Sequence, residues 1–211
     1  MKNLALLLTI LCVSMAISCG GSSNKPANAK ASPEVKKGVT PVADPDVAVI
    51  EMESPGYGPI KMELYSNIAP KMVARFKELA TEGYYDGIIF HRVNQSVIQA
   101  GNSDTKPGGK PNPVKEGDSG KPNVEAEFSD IPYDTGIVGA ARTNDVNSAN
   151  AQFFITLKRE AGFDNKYTIF GKVIDGMNNV RTIAGVPKTG EKPDEPVRIK
   201  HISIVPRDQA K

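Results

Sequence analysis

Four side chains on short apolar segments combine the residue types that a non-covalent binding site needs. Arg92 follows the β-branched and aromatic run Gly87-Ile88-Ile89-Phe90, and Gln99 ends the next apolar segment. Gln152 and Phe154 lie in the run NAQFFITL, and they share a face because alternate residues of a strand point the same way. If these strands converge, they form a small apolar pocket with one cation and two amides at its edge.

The arginine on its own has two ordinary interpretations. A guanidinium stays charged and is rarely buried without a partner, so Arg92 is either a solvated strand residue or one member of a salt bridge. Strand alternation predicts that Arg92 lies beside Phe90 and Ile88, with His91 on the opposite face. That placement favours a hydrogen-bonded structural role for His91.

The chain offers little for metal, cofactor or nucleic-acid chemistry. His91 and His201 are its only histidines, and no CxxC, HExxH or GxxxxGK[ST] pattern occurs. Glu125 and Glu127 resemble paired carboxylates, but the nearby turn residues favour a structural strand end. The net charge of +2 gives no argument for nucleic acid. We therefore expect no metal site, no cofactor and no nucleic-acid partner.

The first 18 residues have the features of a secretory signal peptide. Lys2 precedes an apolar stretch too short to cross a bilayer, which needs roughly 20 residues. Cys19 follows Ala-Ile-Ser and resembles the lipidated cysteine of a bacterial lipobox, although Ala16 stands where leucine is usual. The alternative is an ordinary signal peptide cleaved near Ser18.

The remaining chain divides into a linker, one domain and a tail. Residues 19–45 contain the cysteine and then mainly small or polar residues, which predicts a flexible linker. Since Cys12 leaves with the signal peptide, Cys19 has no intramolecular disulfide partner. Residues 46–206 are long enough for one domain with a single core, and 207–211 form a tail.

Strand patterns dominate the domain, and two segments have helical spacing. The predicted helices are 70–82, which starts at Pro70, and 176–184, which ends before Gly185. A surface loop is predicted over 102–122. Eight segments are predicted to be strands: 47–53, 60–65, 88–93, 96–100, 136–141, 152–157, 167–174 and 197–204. These elements predict a mainly β fold with a closed antiparallel barrel, because closure leaves no exposed edge.

Three motifs resemble a known family. FHRV, QFFI and FGKV, in this order and spacing, resemble the cyclophilin-type peptidyl-prolyl cis-trans isomerases, and the resemblance runs from about residue 47 to 205. It implies a closed eight-stranded antiparallel β-barrel capped by two α-helices, which agrees with the strand count. It also implies an enzyme that interconverts cis and trans X-Pro bonds.

The resemblance assigns roles to ten residues. Arg92 matches the catalytic arginine, and Gln99 matches the glutamine that helps to position it. The residues that match substrate-binding positions are His91, Val97, Ala141, Arg142, Gln152, Phe154, Phe163 and Tyr167.

Two departures from the family pattern affect the site. The spacing between Arg92 and Gln99 is one residue shorter than usual, which places Ser96 where a pocket phenylalanine is expected. Gly162 replaces the tryptophan of many eukaryotic members, so tight cyclosporin binding is not expected.

The leading prediction is an isomerase that assists the folding of exported proteins at the bacterial cell envelope. Its partners would be proline-containing polypeptides, and a lipid anchor alone would hold the monomer on the periplasmic or outer surface. The alternative, motivated by the short loop and Ser96, is a tethered chaperone or scaffold module that binds proline segments with little turnover.

Overall fold

The computed structural model describes residues 33–110 and 119–210. The predicted signal peptide, Cys19 and Lys211 lie outside these residues, as does part of the predicted 102–122 loop. The helices are α1 (Pro70–Thr81) and α2 (Met177–Ala184), with short 3₁₀ turns at Pro55–Tyr57, Ser103–Thr105 and Ala161–Phe163. The strands are β1 (Val35–Lys36), β2 (Asp46–Met52), β3 (Ile60–Leu64), β4 (Arg92–Val93), β5 (Val97–Ala100), β6 (Phe128–Ser129), β7 (Ile137–Ala140), β8 (Phe153–Thr156), β9 (Ile169–Asp175), β10 (Lys188–Thr189), β11 (Lys192–Pro193) and β12 (Ile199–Pro206).

Eight of these strands form one antiparallel sheet in the order β12-β2-β3-β9-β7-β8-β5-β4. Each corresponds to one predicted strand, and both predicted helices are present. The mainly β fold with two helices is therefore confirmed. Within the described residues, 33–110 and 119–210, neither helix is long and apolar enough to span a membrane.

The predicted closed barrel is not confirmed, because the sheet is strongly curled but open between β12 and β4. Only Arg92 and Val93 of the predicted strand 88–93 belong to the ladder. The segment before them meets the start of β12 through one isolated bridge, Ile89 with Arg198. The Phe90 amide also donates to the Val197 carbonyl at 3.0 Å. These contacts hold the two edges near each other without a continuous strand pairing.

Helix α1 fills the inside of the curled sheet. Its apolar side chains recur at helical spacing, and Phe76 lies at the centre, fully buried. The Phe76 ring contacts the rings of Tyr85, Phe153 and Phe170 at centroid distances of 5.3, 5.6 and 5.3 Å. The main core therefore joins α1 to the inner faces of β8 and β9.

The first turn of α1 is capped by a distant carboxylate. Ala69 precedes the helix and has no side-chain acceptor, so its first amides need another partner. Glu127 accepts from the amides of Lys71 at 3.2 Å and Met72 at 3.0 Å, and it is only 8% exposed. Glu125 instead pairs with the Lys71 ammonium at the surface. The structural interpretation of these two carboxylates is thus confirmed.

A second, smaller apolar cluster lies on the other face of the sheet. It contains Phe154, whereas the neighbouring Phe153 and Ile155 belong to the main core, as the alternation predicts. The buried members of this outer cluster are Tyr65, Ile68, Val97, Tyr133, Ile137, Phe154 and Ile169. The same strands therefore contribute side chains to the main core on one face and to the outer cluster on the other.

Part of the predicted linker is held against the domain. Strand β1 pairs in parallel with β6, and the Lys36 ammonium donates to the Ile68 carbonyl at 2.6 Å. Val39 packs on the outer cluster, and Asp44 forms an ion pair with Lys77 at 2.7 Å. Contacts with the domain thus include residues before position 46, where the domain was predicted to begin.

Replacing Glu127 with glutamine should lower the free energy of unfolding by about 1 kcal/mol, because one α1 amide loses its acceptor and the helix terminus loses a charge. Glu125→Gln is the matched control, since an exposed ion pair contributes only about 0–1 kcal/mol. Urea denaturation measures both. Equal midpoints for Glu127→Gln and wild type would contradict the capping role.

Candidate active site

One cavity of about 310 Å³ opens beside the outer apolar cluster. This volume lies at the lower end of the range for ligand pockets, roughly 300–1,000 Å³. Its lining consists of His91, Arg92, Val97, Gln99, Ala141, Arg142, Gln152, Phe154, Phe163 and Tyr167. The structure therefore brings together all ten residues that the family resemblance assigned to the site, while their individual roles remain predictions.

A single row of cross-strand neighbours carries the central groups. Arg92 of β4 is paired with Gln99 of β5, and Gln99 is paired in turn with Phe154 of β8. Phe154 is then paired with Gly139 of β7. Neighbouring strands lie about 4.8 Å apart, so the arginine and the phenyl ring are separated by about two strand spacings. The sheet register thus sets the spacing of these central groups.

The predicted face of Arg92 is wrong in one respect. Ile88, Phe90 and Val93 are all fully buried in the main core, whereas Arg92 is half exposed and lines the cavity. The strand begins only at Arg92, so the period of two is lost between Phe90 and Val93. His91 also lines the cavity instead of lying away from Arg92, and its amide donates to the Gln99 carbonyl at 3.1 Å.

Aromatic rings form the apolar wall of the cavity. The rings of Phe163 and Tyr167 meet Phe154 nearly edge-on, with centroids at 5.5 and 5.7 Å. Behind them Tyr133, which was not predicted as a site residue, stacks on Phe154 at 5.8 Å. Burial raises the pKa of the Tyr133 hydroxyl well above its ordinary value, so it stays neutral. The wall is therefore a cluster of aromatic rings in mutual contact, which offers an apolar surface to the cavity.

Arg142 closes one side of this wall. Its guanidinium lies over the Tyr167 ring, 4.6 Å from the centroid, and Nη2 donates to the Lys166 carbonyl at 2.9 Å. The Nη1 group donates to the Thr143 carbonyl at 2.8 Å. Because three contacts fix this cation, Arg142 is suited to shaping the wall.

The two glutamines bind each other across the strands. The Gln99 amide nitrogen donates to the Gln152 side-chain oxygen at 2.9 Å. Gln99 was predicted to position Arg92, and the two are cross-strand neighbours, but the hydrogen bond described for the Gln99 side chain goes to Gln152. The pair presents an ordered amide edge between the arginine and the rings.

The charged partner of Arg92 is Glu191, which lies between β10 and β11. Nε of the guanidinium donates to Oε2 at 2.6 Å, and Nη2 donates to Oε1 at 3.3 Å. The Asn94 side chain donates to the same Oε1 at 2.7 Å. Hydrogen bonds from Arg92 and then Asn94 lower the pKa of Glu191. Arg92 therefore forms a salt bridge, which is one of its two ordinary interpretations, and it also lines the cavity.

The short loop after Arg92 is a tight turn built on Asn94. Its side-chain oxygen accepts from the amides of Ser96 at 2.8 Å and Val97 at 2.9 Å. Ser96 is not among the residues that line the cavity, whereas Val97 is. The apolar lining is thus Val97 on this side and the aromatic rings on the other.

The arrangement offers a permanent cation, an amide pair and an apolar slot. Within residues 33–110 and 119–210, no group of three His, Cys, Asp or Glu side chains could hold a metal ion. Val97 and Phe154 both line the cavity, and the Arg92 guanidinium supplies hydrogen-bond donors to the same cavity. The site is suited to binding and to electrostatic stabilisation.

Comparisons with known proteins agree with this geometry. Residues 48–204 match the family model described as cyclophilin type peptidyl-prolyl cis-trans isomerase/CLD. A probable peptidyl-prolyl cis-trans isomerase of Brucella suis biovar 1 (strain 1330) is 40% identical over 147 residues, which cover 67% of this chain and 73% of the relative. The peptidyl-prolyl cis-trans isomerase cypE of Dictyostelium discoideum is 36% identical over 149 residues, covering 67% and 88%.

A solved structure is similar over nearly its whole length. A cyclophilin type peptidyl-prolyl cis-trans isomerase of Cryptosporidium parvum, crystallised in the presence of the dipeptide Ala-Pro, matches with a TM-score of 0.66 and 30% identity. The match covers 75% of this chain and 98% of that protein. The mainly β fold with two helices is therefore shared with this cyclophilin.

Gly139→Ala should destabilise the site, because a β-carbon there would overlap the Phe154 ring and lie 2.7 Å from the Tyr133 hydroxyl oxygen. Overpacking of this kind costs roughly 1–3 kcal/mol of unfolding free energy and should shift the NMR signals of the Phe154 ring. Gly162→Ala is the matched control, since its β-carbon would meet nothing within 4 Å. Unchanged stability and ring signals in Gly139→Ala would show that the ring does not depend on this glycine.

Proposed function

Because this chain belongs to the cyclophilin-type peptidyl-prolyl cis-trans isomerase family, we propose that Arg92 accelerates the isomerisation by donating a hydrogen bond to the prolyl nitrogen. The observation that supports this role is the convergence of Arg92, the Gln99–Gln152 amide pair and Phe154 on one cavity. In this proposal the proline ring packs between Phe154 and Val97, and the amide pair contacts the peptide backbone.

The reaction is a rotation and needs no covalent intermediate. Amide resonance gives the X-Pro bond a barrier of about 18–20 kcal/mol, so uncatalysed exchange takes tens to hundreds of seconds. Halfway through the rotation, the prolyl nitrogen becomes pyramidal and regains a lone pair. A donor aimed at that lone pair binds the twisted state better than either planar state, and only such differential binding raises the rate.

The magnitudes are compatible with one arginine donor. Shortening about 100 s to about 10 ms is a factor near 10⁴, which requires roughly 5.5 kcal/mol of transition-state stabilisation. One preorganised donor supplies about 2.7–4 kcal/mol. Orientation of the ring against Phe154 and exclusion of water from the slot are expected to supply the rest.

The Glu191 ion pair is compatible with this role. It engages Nε and Nη2 of Arg92, so Nη1 lies outside those two contacts. The Arg92 and Glu191 side chains are 46% and 49% exposed, and such exposed pairs are worth about 0–1 kcal/mol. In this proposal the guanidinium keeps the orientation that it has in the pair and donates from Nη1 to the substrate.

We further propose that the enzyme acts on exported proline-containing polypeptides at the bacterial cell envelope, as a monomer held by a lipid on Cys19. The support is the sequence of residues 1–19, which lie outside the described part of the chain. The short polar segment after Cys19 would separate the catalytic domain from the membrane surface on its periplasmic or outer side.

Arg92→Ala should slow catalysed cis-trans exchange of a proline peptide by about 100-fold or more, because the twisted state loses its donor. Two-dimensional NMR exchange spectroscopy measures this without a coupled protease. Arg181→Ala is the matched control, since Arg181 lies on α2 and its described hydrogen bond goes to Asn178 of the same helix. Exchange at the wild-type rate in Arg92→Ala would reject the arginine mechanism.

The same measurement separates the isomerase from a tethered binding module. That alternative is supported by Ser96, which stands where a pocket phenylalanine is expected and lies outside the cavity lining. A module would bind the peptide in titrations while wild-type exchange stayed at the spontaneous rate. Faster exchange with wild type than without protein favours the enzyme.

Cys19→Ser should abolish incorporation of radiolabelled palmitate, because the serine hydroxyl cannot form the thioether on which lipoprotein acylation depends. The matched control is Cys12→Ser. It changes the chain's other cysteine, which lies in the predicted signal peptide, and this variant should still incorporate palmitate. Equal labelling of Cys19→Ser and wild type would refute the lipid anchor.

A further inference from the structure

We propose that Glu191, between β10 and β11, is the positioning residue for Arg92 in the isomerisation. This inference rests on the proposed role of Arg92 as the donor. The family resemblance assigned the positioning of Arg92 to Gln99. We assign it instead to Glu191, which lies far from Arg92 along the chain.

The contacts to Glu191 fix the direction of the guanidinium. Two parallel hydrogen bonds, from Nε at 2.6 Å and Nη2 at 3.3 Å, join the planar guanidinium edge-on to the planar carboxylate. Such bidentate pairs restrict rotation about the arginine side chain as well as its distance. A single acceptor would leave the guanidinium free to turn. The carboxylate of Glu191 thus occupies Nε and Nη2 of Arg92 and leaves Nη1 as the donor for the cavity.

Glu191 is itself fixed by two further hydrogen bonds. Its backbone carbonyl accepts from the Val93 amide at 2.6 Å, which joins the hairpin to β4 directly beside Arg92. The Asn94 side chain donates to its carboxylate at 2.7 Å. The hairpin is closed by the β10–β11 pairing and by a hydrogen bond from the Thr189 hydroxyl to Asp194 at 2.8 Å. The carboxylate therefore has a defined position before any substrate binds.

The shortened loop takes part in the same network. Asn94 uses its oxygen to accept from the amides of Ser96 and Val97 and its nitrogen to bind Glu191. One side chain thus shapes the loop that presents Val97 and also orients the carboxylate. Gln99 meanwhile donates to Gln152. The polar contacts described for the Arg92 guanidinium all lead to Glu191, and none leads to Gln99.

The test measures the turnover of Glu191→Ala and Glu191→Gln. An exposed ion pair can bias the orientation of the guanidinium by at most about fivefold, so we expect kcat for Glu191→Ala to fall about two- to fivefold with an unchanged KM. Glu191→Gln keeps one acceptor oxygen and should lose less. Glu195→Ala, which removes another exposed acid of the same segment, is the matched control and should behave as wild type. Urea midpoints should be equal for all four proteins.

A second readout reports on Arg92 directly. The Nε–H resonance of Arg92, assigned by its loss in Arg92→Lys, should move in both Glu191 variants and stay in place in Glu195→Ala. Reduced turnover with an unmoved Arg92 resonance would overturn the proposal, because Glu191 would then act elsewhere. Wild-type turnover in Glu191→Ala would overturn it too. So would faster turnover, which would mean that the pair holds Arg92 away from the substrate.

Failure of this inference is distinguishable from failure of the arginine mechanism. If Arg92→Ala keeps wild-type exchange, the proposed function fails and Glu191 has no donor to position. If Arg92→Ala loses exchange while Glu191→Ala keeps it, Arg92 remains the donor and only the positioning role of Glu191 is rejected.

Discussion

The site depends on holding a permanent cation beside an apolar slot without burying it. A buried guanidinium would need full pairing, which would cost desolvation and occupy every donor. Here Arg92 lies on a two-residue edge strand, half exposed, while its row neighbours Gln99 and Phe154 lie on inner strands. The three cross-strand neighbours Arg92, Gln99 and Phe154 thus lead from a solvent-exposed cation to a buried ring within about two strand spacings. The open edge of the sheet is what allows a charge and a ring to share one cavity.

The curled sheet supports this cavity because its strands carry apolar residues on both faces. Phe153 packs on α1 in the main core, and Phe154 packs in the outer cluster one residue later. Gly139, opposite Phe154, leaves space for the ring, and Tyr133 supports it from behind. The side chains around Phe154 are therefore packed on both sides of the same sheet, with Phe153 in the main core and Phe154 facing the cavity.

Local patterns predicted the helices and strands, because these elements follow from residue spacing, and they predicted that Arg92, Gln99, Gln152 and Phe154 converge. The other six lining residues were assigned by the family resemblance. Local patterns failed at Arg92, where the loss of the strand period between Phe90 and Val93 turns the side chain outward, and at the closure of the sheet. They also missed Glu191, which lies in a turn and is 99 positions from Arg92 along the chain. A contact between a turn residue and a distant strand leaves no periodic signal, so three-dimensional placement was needed to find it.

The weakness of the Arg92–Glu191 pair is consistent with a positioning role. An exposed pair adds little stability, so nothing in folding requires it, yet its two hydrogen bonds still bias the orientation of the guanidinium. The guanidinium stays protonated in the pair, so its Nη1 group remains a charged hydrogen-bond donor outside the two contacts to Glu191. Asn94 holds the carboxylate on the side of Nε and Nη2. In the proposed mechanism, the pair thus orients the guanidinium while Arg92 remains the donor to the prolyl nitrogen.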